Sequence, residues 1–352
     1  MSKSTGMAMD TLDRYRGALL GLACGDAVGT TLEFQPRGSF APLTDMVGGG
    51  PFSLPAGKWT DDTSMALCLA ESLLQRGGCD PHDQMTRYAN WYEWGYWSST
   101  GNCFDIGMAT RAAIQRFLAT GDPLAGSPDP DQAGNGSLMR LAPVPMFFGP
   151  DEDLVQRMAE LSSRTTHAAP ECLQACRLFA VALCRALQGL PRSQVLDLGG
   201  VLQDGASPRL REIARGDYRD KPAAQIRGSG YVVDSLEAAL WCFARHDSFE
   251  GAVLQAANLG DDADTTAAIT AQLAGALHGA SGIADRWLER LHLAPEITAL
   301  ADALWQAARG ARDATYLSVP ERPGALTTRT VAGAASGLDQ ACLRDLPRTR
   351  AP

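Results

Sequence analysis

Apolar residues along this chain recur mainly at three- and four-residue spacing. Residues Asp10 to Gly25 show it, as does the stretch after Thr60, through Met65, Leu69 and Leu73 with small Ala66 and Ala70 beside them. That spacing puts the apolar side chains on one face of a helix. Further helices are predicted over Phe104 to Leu118, Glu152 to Leu161, Pro170 to Leu187, Val233 to Arg245, Phe249 to Leu259, Asp264 to His278 and Ala284 to Leu293. The strict alternation of a half-buried strand is nowhere sustained, so the expected fold class is all-α. Alanine and glycine recur on inner faces, as in Thr266-Ala-Ala-Ile269 through Leu273-Ala-Gly-Ala276. They permit close helix approach, which favours one compact orthogonal bundle over two domains, spanning 10–310. The Pro/Gly-rich stretches Pro36 to Gly57 and Gly121 to Gly136 separate helices and are expected to rim a cleft. Beyond Leu317 the periodicity fades, so residues 318–352 read as a C-terminal extension, partly disordered.

The polar residues that break this pattern are the informative ones. Thr60-Asp61-Asp62-Thr63 and Gly260-Asp261-Asp262-Ala263-Asp264-Thr265-Thr266 each stand at the mouth of an expected helix, far apart in sequence. If the fold brings them together, their carboxylates repel one another and lose hydration, so cations between them are expected. Carboxylate and hydroxyl oxygens are hard ligands that suit Mg²⁺ or Mn²⁺, and the chain has no competing zinc box. A blander reading stays open, in which Thr60 and Asp264 only cap their helices.

Composition narrows the class. Of 352 residues 45% are hydrophobic and 20% charged, as in an ordinary globular protein, and the net charge of −9 argues against general nucleic-acid binding through basic surface. The nine cysteines are an odd number in a long chain, and Cys68, Cys172, Cys176, Cys184 and Cys242 fall in apolar helical runs. They read as reduced core residues rather than disulfides. Cys172 and Cys176 share a helical face without a second pair at metal spacing. No signal segment or apolar run of about 18 residues is present, so no membrane partner is expected and a cytoplasmic enzyme is the default.

Between the clusters lie further stations. Gly25-Asp26-Ala-Val-Gly29 and then Glu33 follow an apolar helix, and a carboxylate there could act as acid or base. Gly134-Asn135-Gly136-Ser137-Leu-Met-Arg140 offers backbone amides that suit a phosphate, although turns use the same residues.

Together these stations resemble the ADP-ribosylglycohydrolase family, which includes the bacterial dinitrogenase-reductase-activating hydrolases and the eukaryotic ADP-ribosylarginine and ADP-ribosylserine hydrolases. The match is carried by the order Gly17 to Gly29 with Glu33, Trp59-Thr-Asp-Asp-Thr63, Phe104-Asp-Ile-Gly107, Gly134 to Pro143, Thr166-His167, Gly230-Tyr-Val232 with Leu236 to Trp241, and Asn258 to Thr266. It covers about residues 10 to 290. The resemblance implies an all-helical catalytic domain around a dinuclear cleft with two Mg²⁺ or Mn²⁺ ions. It further implies metal ligands at Thr60, Asp61, Asp62, Asp262, Asp264 and Thr265, with Asp261 left out because many members have glycine there. Glu33 and Asp105 correspond to residues assigned to catalysis. The amides of Gly134, Asn135, Gly136 and Ser137 with His167 correspond to diphosphate and distal-ribose contacts, and Tyr231 to an aromatic that stacks on adenine. One departure is Met108, where the dinitrogenase-reductase branch places asparagine, which puts the identity of the target in doubt.

The implied activity is removal of ADP-ribose from modified protein, with arginine favoured because an acidic cleft accepts the released guanidinium. That would reverse an ADP-ribosyltransferase, with a cognate toxin as one further partner. Hydrolysis of a serine, nucleic-acid or small-molecule linkage stays open. So do a helical diphosphate-metal synthase, disfavoured by Met65 in the register where another acid would stand, and a non-catalytic binder working through residues before Asp10 or the Pro42 to Pro55 loop. The run Trp91 to Trp97 holds five aromatics that either line a rim or pack a helix end.

Overall fold

A computed structural model describes residues 10–202 and 205–315; the expected extension at 318–352 and the segment before Asp10 lie outside the described residues. The elements in chain order are α1 (Thr11–Gly29), α2 (Asp61–Arg76), α3 (Pro81–Trp94), α4 (Met108–Thr120), α5 (Pro143–Phe148), α6 (Glu152–Arg164) and α7 (Pro170–Leu187). They continue with α8 (Arg192–Val195), α9 (Pro208–Arg215), α10 (Val232–Arg245), α11 (Phe249–Ala257), α12 (Ala263–His278), α13 (Asp285–Arg290) and α14 (Ala294–Thr315). Among the described residues there is no strand, only isolated bridges such as Gly134 with Tyr231, so the all-α expectation holds.

The centre of the molecule is the antiparallel pair α1 and α12, around which α2, α7, α10, α11 and α14 pack. Its cause is a glycine at every fourth position of α1. A Cβ on Gly17 would stand 2.3 Å from the Gly275 carbonyl oxygen, one on Gly21 2.7 Å from that of Ala271, one on Gly25 2.5 Å from that of Ala267, and one on Gly29 2.4 Å from that of Ala263. No side chain fits there, so the two backbones touch along four turns. The pairing sets the C-terminal end of α1, with Asp26 and the following Glu33, beside the first turn of α12, with Asp262 and Asp264. Both helices are buried on nearly every side in one continuous apolar cluster.

Two long helices, α3 and α14, and the short α5, α8 and α9 add to those the spacing predicts, and α1 runs on to Gly29. One predicted boundary is wrong in an instructive way. Residues 104–107 are loop rather than helix, because Asp105 sits in left-handed backbone at φ 57° and α4 starts only at Met108. The aromatic run belongs to packing: Trp91 is buried, and just past the end of α3 Tyr96 (2.5 Å) and the Trp97 indole (3.0 Å) both donate to the carboxylate of Glu71 on α2. The Pro42 to Pro55 loop is fastened to the body, with Leu43 exchanging hydrogen bonds of 2.7 and 2.9 Å with the Asn258 amide.

Candidate active site

Helix α2 begins inside the protein, where its free amides have no water. Asp26, fully buried on α1, supplies the missing acceptor: one carboxylate oxygen accepts from the Thr60 amide and hydroxyl, each at 2.9 Å, and the other from the Thr63 amide at 3.0 Å and hydroxyl at 2.6 Å. A carboxylate holding four donors is a structural anchor, not the free acid or base its sequence position suggested. The capping alternative for Thr60 and Asp264 also fails. Thr60 makes no side-chain cap, and Asp264 lies inside the first turn of α12 rather than at its start.

The anchored end faces the other cluster. The Thr60 hydroxyl lies 3.3 Å from an Asp264 oxygen and 3.5 Å from an Asp62 oxygen, and the Thr265 hydroxyl lies 3.3 Å from the same Asp62 oxygen. Thr60 has one hydroxyl hydrogen, and its shortest acceptor is Asp26, so the oxygen's lone pairs are turned toward the carboxylates. Asp262, half-buried, is held by its amide to the Gly228 carbonyl at 2.8 Å and by an Asn135 amide hydrogen bond of 2.7 Å to its carboxylate. Asp261 is exposed and at φ 56°, and its backbone pairs in both directions with Phe34 and Gln35 at 2.7 and 2.8 Å. That pair ties the segment bearing Glu33 to the second cluster, while the Asp261 residue itself stays exposed.

Glu33, Asp105 and Asp264 each bring a carboxylate oxygen within 4.8 Å of the others. Burial first and the neighbouring Asp105 second push the Glu33 carboxyl up to about 10, while burial raises Asp105 to about 7 despite its hydrogen bond to Glu33. Asp61, Asp62 and Asp264 are driven well above the ordinary carboxylate range by burial and then by one another and by Glu33, Asp105 and Asp26. Buried oxygens of Glu33, Asp62 and Asp264 have no hydrogen-bond partner. Unpartnered buried acceptors and lone pairs facing carboxylates are the arrangement that hard divalent cations relieve. The donor set therefore fits such ions.

Beside this group the segment Ala133 to Ser137 runs against Gly230 to Val232, joined by the Asn135 amide to the Gly230 carbonyl at 3.1 Å and the Val232 amide to the Ala133 carbonyl at 3.0 Å. Both cysteines of α7 lie behind it: the Cys172 thiol faces the Gly134 carbonyl at 3.3 Å and Cys176 lies 3.4 Å from the Ser137 hydroxyl. They serve the loop's packing, and neither joins the carboxylate group. His167, buried, closes over the segment, so that a Cβ on Gly136 would lie 2.8 Å from its ring. Tyr231 is half-buried, its hydroxyl donates to Glu171, and the Arg209 guanidinium stands 5.8 Å from its ring centroid. The carboxylates and this glycine segment are bridged by Asn135, which also donates to Ser235 at 2.8 Å. Asp26 and Arg140 are the polar residues whose roles the sequence did not disclose, although both fall within its glycine-bearing motifs.

Residues 7–314 match the family model described as ADP-ribosylglycohydrolase. The ADP-ribosylarginine hydrolase Tri1 of Pseudomonas putida (strain GB-1) is 47% identical over 84% of this chain and 79% of its own length. The ADP-ribosyl-[dinitrogen reductase] glycohydrolase of Rhodospirillum rubrum is 33% identical over 81% and 92%. A solved structure titled ADP-ribosylglycohydrolase-related protein complex superposes with a TM-score of 0.75 at 46% identity, covering 85% of this chain and 99% of that one. The chain belongs to the ADP-ribosylglycohydrolase family.

Proposed function

We propose that this protein is a metal-dependent hydrolase that releases ADP-ribose from modified arginine, cleaving the N-glycosidic bond and so reversing an arginine ADP-ribosyltransferase. The observation that carries the chemistry is the meeting of Glu33, Asp105 and Asp264 within 4.8 Å. The linkage is supported by two relatives named ADP-ribosylarginine hydrolase, at 47% and 43% identity. On this reading Thr60, Asp61, Asp62, Asp262, Asp264 and Thr265 hold two Mg²⁺ or Mn²⁺ ions in a single catalytic domain over residues 10–310. Free buried thiols fit a reducing compartment, and the cytoplasm is the proposed site of action. Among the described residues no helix is long and apolar enough to cross a membrane.

Cleavage of a ribosyl bond passes through an oxocarbenium-like state, and water must deliver hydroxide to the anomeric carbon while the departing nitrogen regains a proton. The bound ions supply orientation of vicinal ribose hydroxyls and acidification of water. Glu33 and Asp105 supply the proton inventory. The two carboxyls are hydrogen-bonded to one another and burial raises both above the ordinary range, so on this reading one of the pair keeps its proton while the other accepts from water and returns that proton to the guanidine nitrogen. The left-handed backbone at Asp105 is the strain that keeps its carboxylate turned to Glu33 and Asp264. Asp26 takes no part in proton transfer and fixes Thr60 to Thr63 against α1. The glycine segment with His167 receives the diphosphate, and Tyr231, oriented by Glu171, receives the base.

The diphosphate-metal synthase reading is not favoured, since Met65 is a fully buried core residue and the family differs. A binder acting through residues before Asp10 would use a segment outside the described residues. Incubation with arginine-, serine- and nucleic-acid-linked ADP-ribose, with and without Mg²⁺, tests the proposal. Release from the arginine linkage alone, and only with metal, is expected; release from serine alone, or with chelator present, overturns it.

A further inference from the structure

Arg140 is fully buried, yet no carboxylate pairs with it among the described residues. Its guanidinium donates to the Gly136 carbonyl at 3.1 Å and to the Thr166 hydroxyl at 2.8 Å, lies 4.7 Å over the Tyr88 ring, and leaves Nε without a partner. A buried cation in neutral company is costly and calls for a reason. The Thr166 hydroxyl stands in turn 2.8 Å from Nδ1 of His167.

Proton counting decides the direction of this chain. Arginine has no acceptor, so it donates and Thr166 accepts. Thr166 then has one hydrogen of its own, and among the described residues its hydroxyl meets no other acceptor; leaving that bond unmade in a buried place would cost the full desolvation of the group. That hydrogen therefore goes to His167 Nδ1. Burial, with Arg140 adding to it, pushes the imidazole down to about 3, so the ring is neutral at physiological pH. A neutral ring that accepts at Nδ1 carries its proton on Nε2. Among the described residues Nε2 has no partner, and it lies 3.1 and 3.5 Å from where a Cβ on Gly136 and Gly134 would stand, facing the glycine segment.

We propose that Arg140 and Thr166 are positioning residues that lock His167 as the Nε2–H tautomer, making it a fixed donor to an anionic oxygen of the ligand's diphosphate. The uncompensated charge of Arg140 beneath the segment adds to the same preference. This deepens the proposed function and rests on it for the ligand, while the tautomer itself does not depend on it.

The experiment uses the full chain with Thr166→Val, which keeps the shape and removes the hydroxyl, and Thr166→Ser, which restores it. With five histidines in the chain, ¹⁵N resonances of the rings are assignable. Wild type and Thr166→Val are also titrated with ADP-ribose and with adenosine, which lacks phosphate. In the wild type, His167 should show a protonated Nε2 and bare Nδ1. In Thr166→Val the two tautomers should mix, ADP-ribose should bind about tenfold more weakly, adenosine should be unchanged, and KM should rise with kcat held, while Thr166→Ser restores the tautomer, the ADP-ribose affinity and KM. A wild-type ring protonated at Nδ1, or an unchanged ADP-ribose affinity in Thr166→Val with the protein folded by circular dichroism, overturns the proposal. An Nε2–H ring in a protein that binds no ADP-ribose keeps the relay and refutes the function reading instead.

Discussion

Asp62 and Asp264 show how little room single residues have here. Each has a buried oxygen without a partner, and each faces a threonine hydroxyl from across the cleft. If they hold cations, Asp62→Ala or Asp264→Ala should lower kcat by about a hundredfold or more, because removal of groups even one step further from a metal typically costs ten- to a hundredfold. The same variants should melt no lower than wild type when metal is absent, since a repelling carboxylate has gone. Retained turnover in either, measured by ADP-ribose release, would remove the metal assignment. Asp26→Asn is the opposite case. It leaves one acceptor oxygen where four donors converge, so the folded state should lose about 1–3 kcal/mol per stranded donor group, and activity should fall because Thr60 to Thr63 lose their anchor. Gly136→Ala should weaken ADP-ribose binding and also lower the melting temperature, because the new methyl meets the buried His167 ring 2.8 Å away. At this scale the sequence showed which residues matter better than what they do. Asp26 reads as a free carboxylate until the fold reveals its four donors, and a buried Arg140 is indistinguishable on paper from a surface one.

Among the elements, the α1 and α12 pair was half legible. The small residues on their inner faces announce close packing, and the match of Gly17, Gly21, Gly25 and Gly29 to Gly275, Ala271, Ala267 and Ala263 shows how that packing sets the register. Gly25→Ala would force a methyl to within 2.5 Å of a backbone oxygen that cannot step aside. A destabilisation of about 1–3 kcal/mol is expected, seen as a lower melting temperature, with activity falling further than stability because both acidic groups hang from that pair. The helices themselves followed their apolar spacing. What spacing did not reveal was the loop at 104–107, where one left-handed residue ends a pattern that still looks helical. The register 297, 300, 301, 304 and 308, buried along α14, is helical in the same way as the elements that were read. Helix α3 carries few apolar residues at helical spacing before its aromatic end, Trp91 to Trp94, so its pattern is weak.

For the whole molecule, the acidic cleft couples stability to pH and to cations. The Asp105 and Glu33 carboxyls titrate higher when folded than when unfolded, at about 7 and about 10 against an ordinary value near 4. A carboxyl raised in this way contributes its full share below the unfolded value, and that share is lost as pH rises through the folded one. The metal-free protein should therefore melt progressively lower from about pH 5 to pH 9. Divalent ions compete with those protons, so added Mg²⁺ should raise the melting temperature more at pH 8 than at pH 5, approaching about 2.7 kcal/mol at a hundredfold excess over Kd. Scanning calorimetry at the two pH values checks both signs; a metal-free protein that grows more stable toward pH 9 would contradict them. Glu33, Asp105 and Asp264 come from three of the seven short stations and meet in the fold, and they were legible because polar residues there interrupt the apolar spacing. The long connecting segments carry no comparable signal, since many sequences can cross a surface.

The interlocked glycines of α1 have an implication for how such a protein can diversify. Its two acidic jaws are mounted on one rigid hinge pin, formed by the first helix and a helix near the end of the described chain. Most of the intervening residues can be retailored without moving the jaws. Replacing the exposed side chains of Phe34 and Met108 with those of a relative should therefore transfer the choice of modified protein while leaving cleavage of the free ADP-ribosylated amino acid intact.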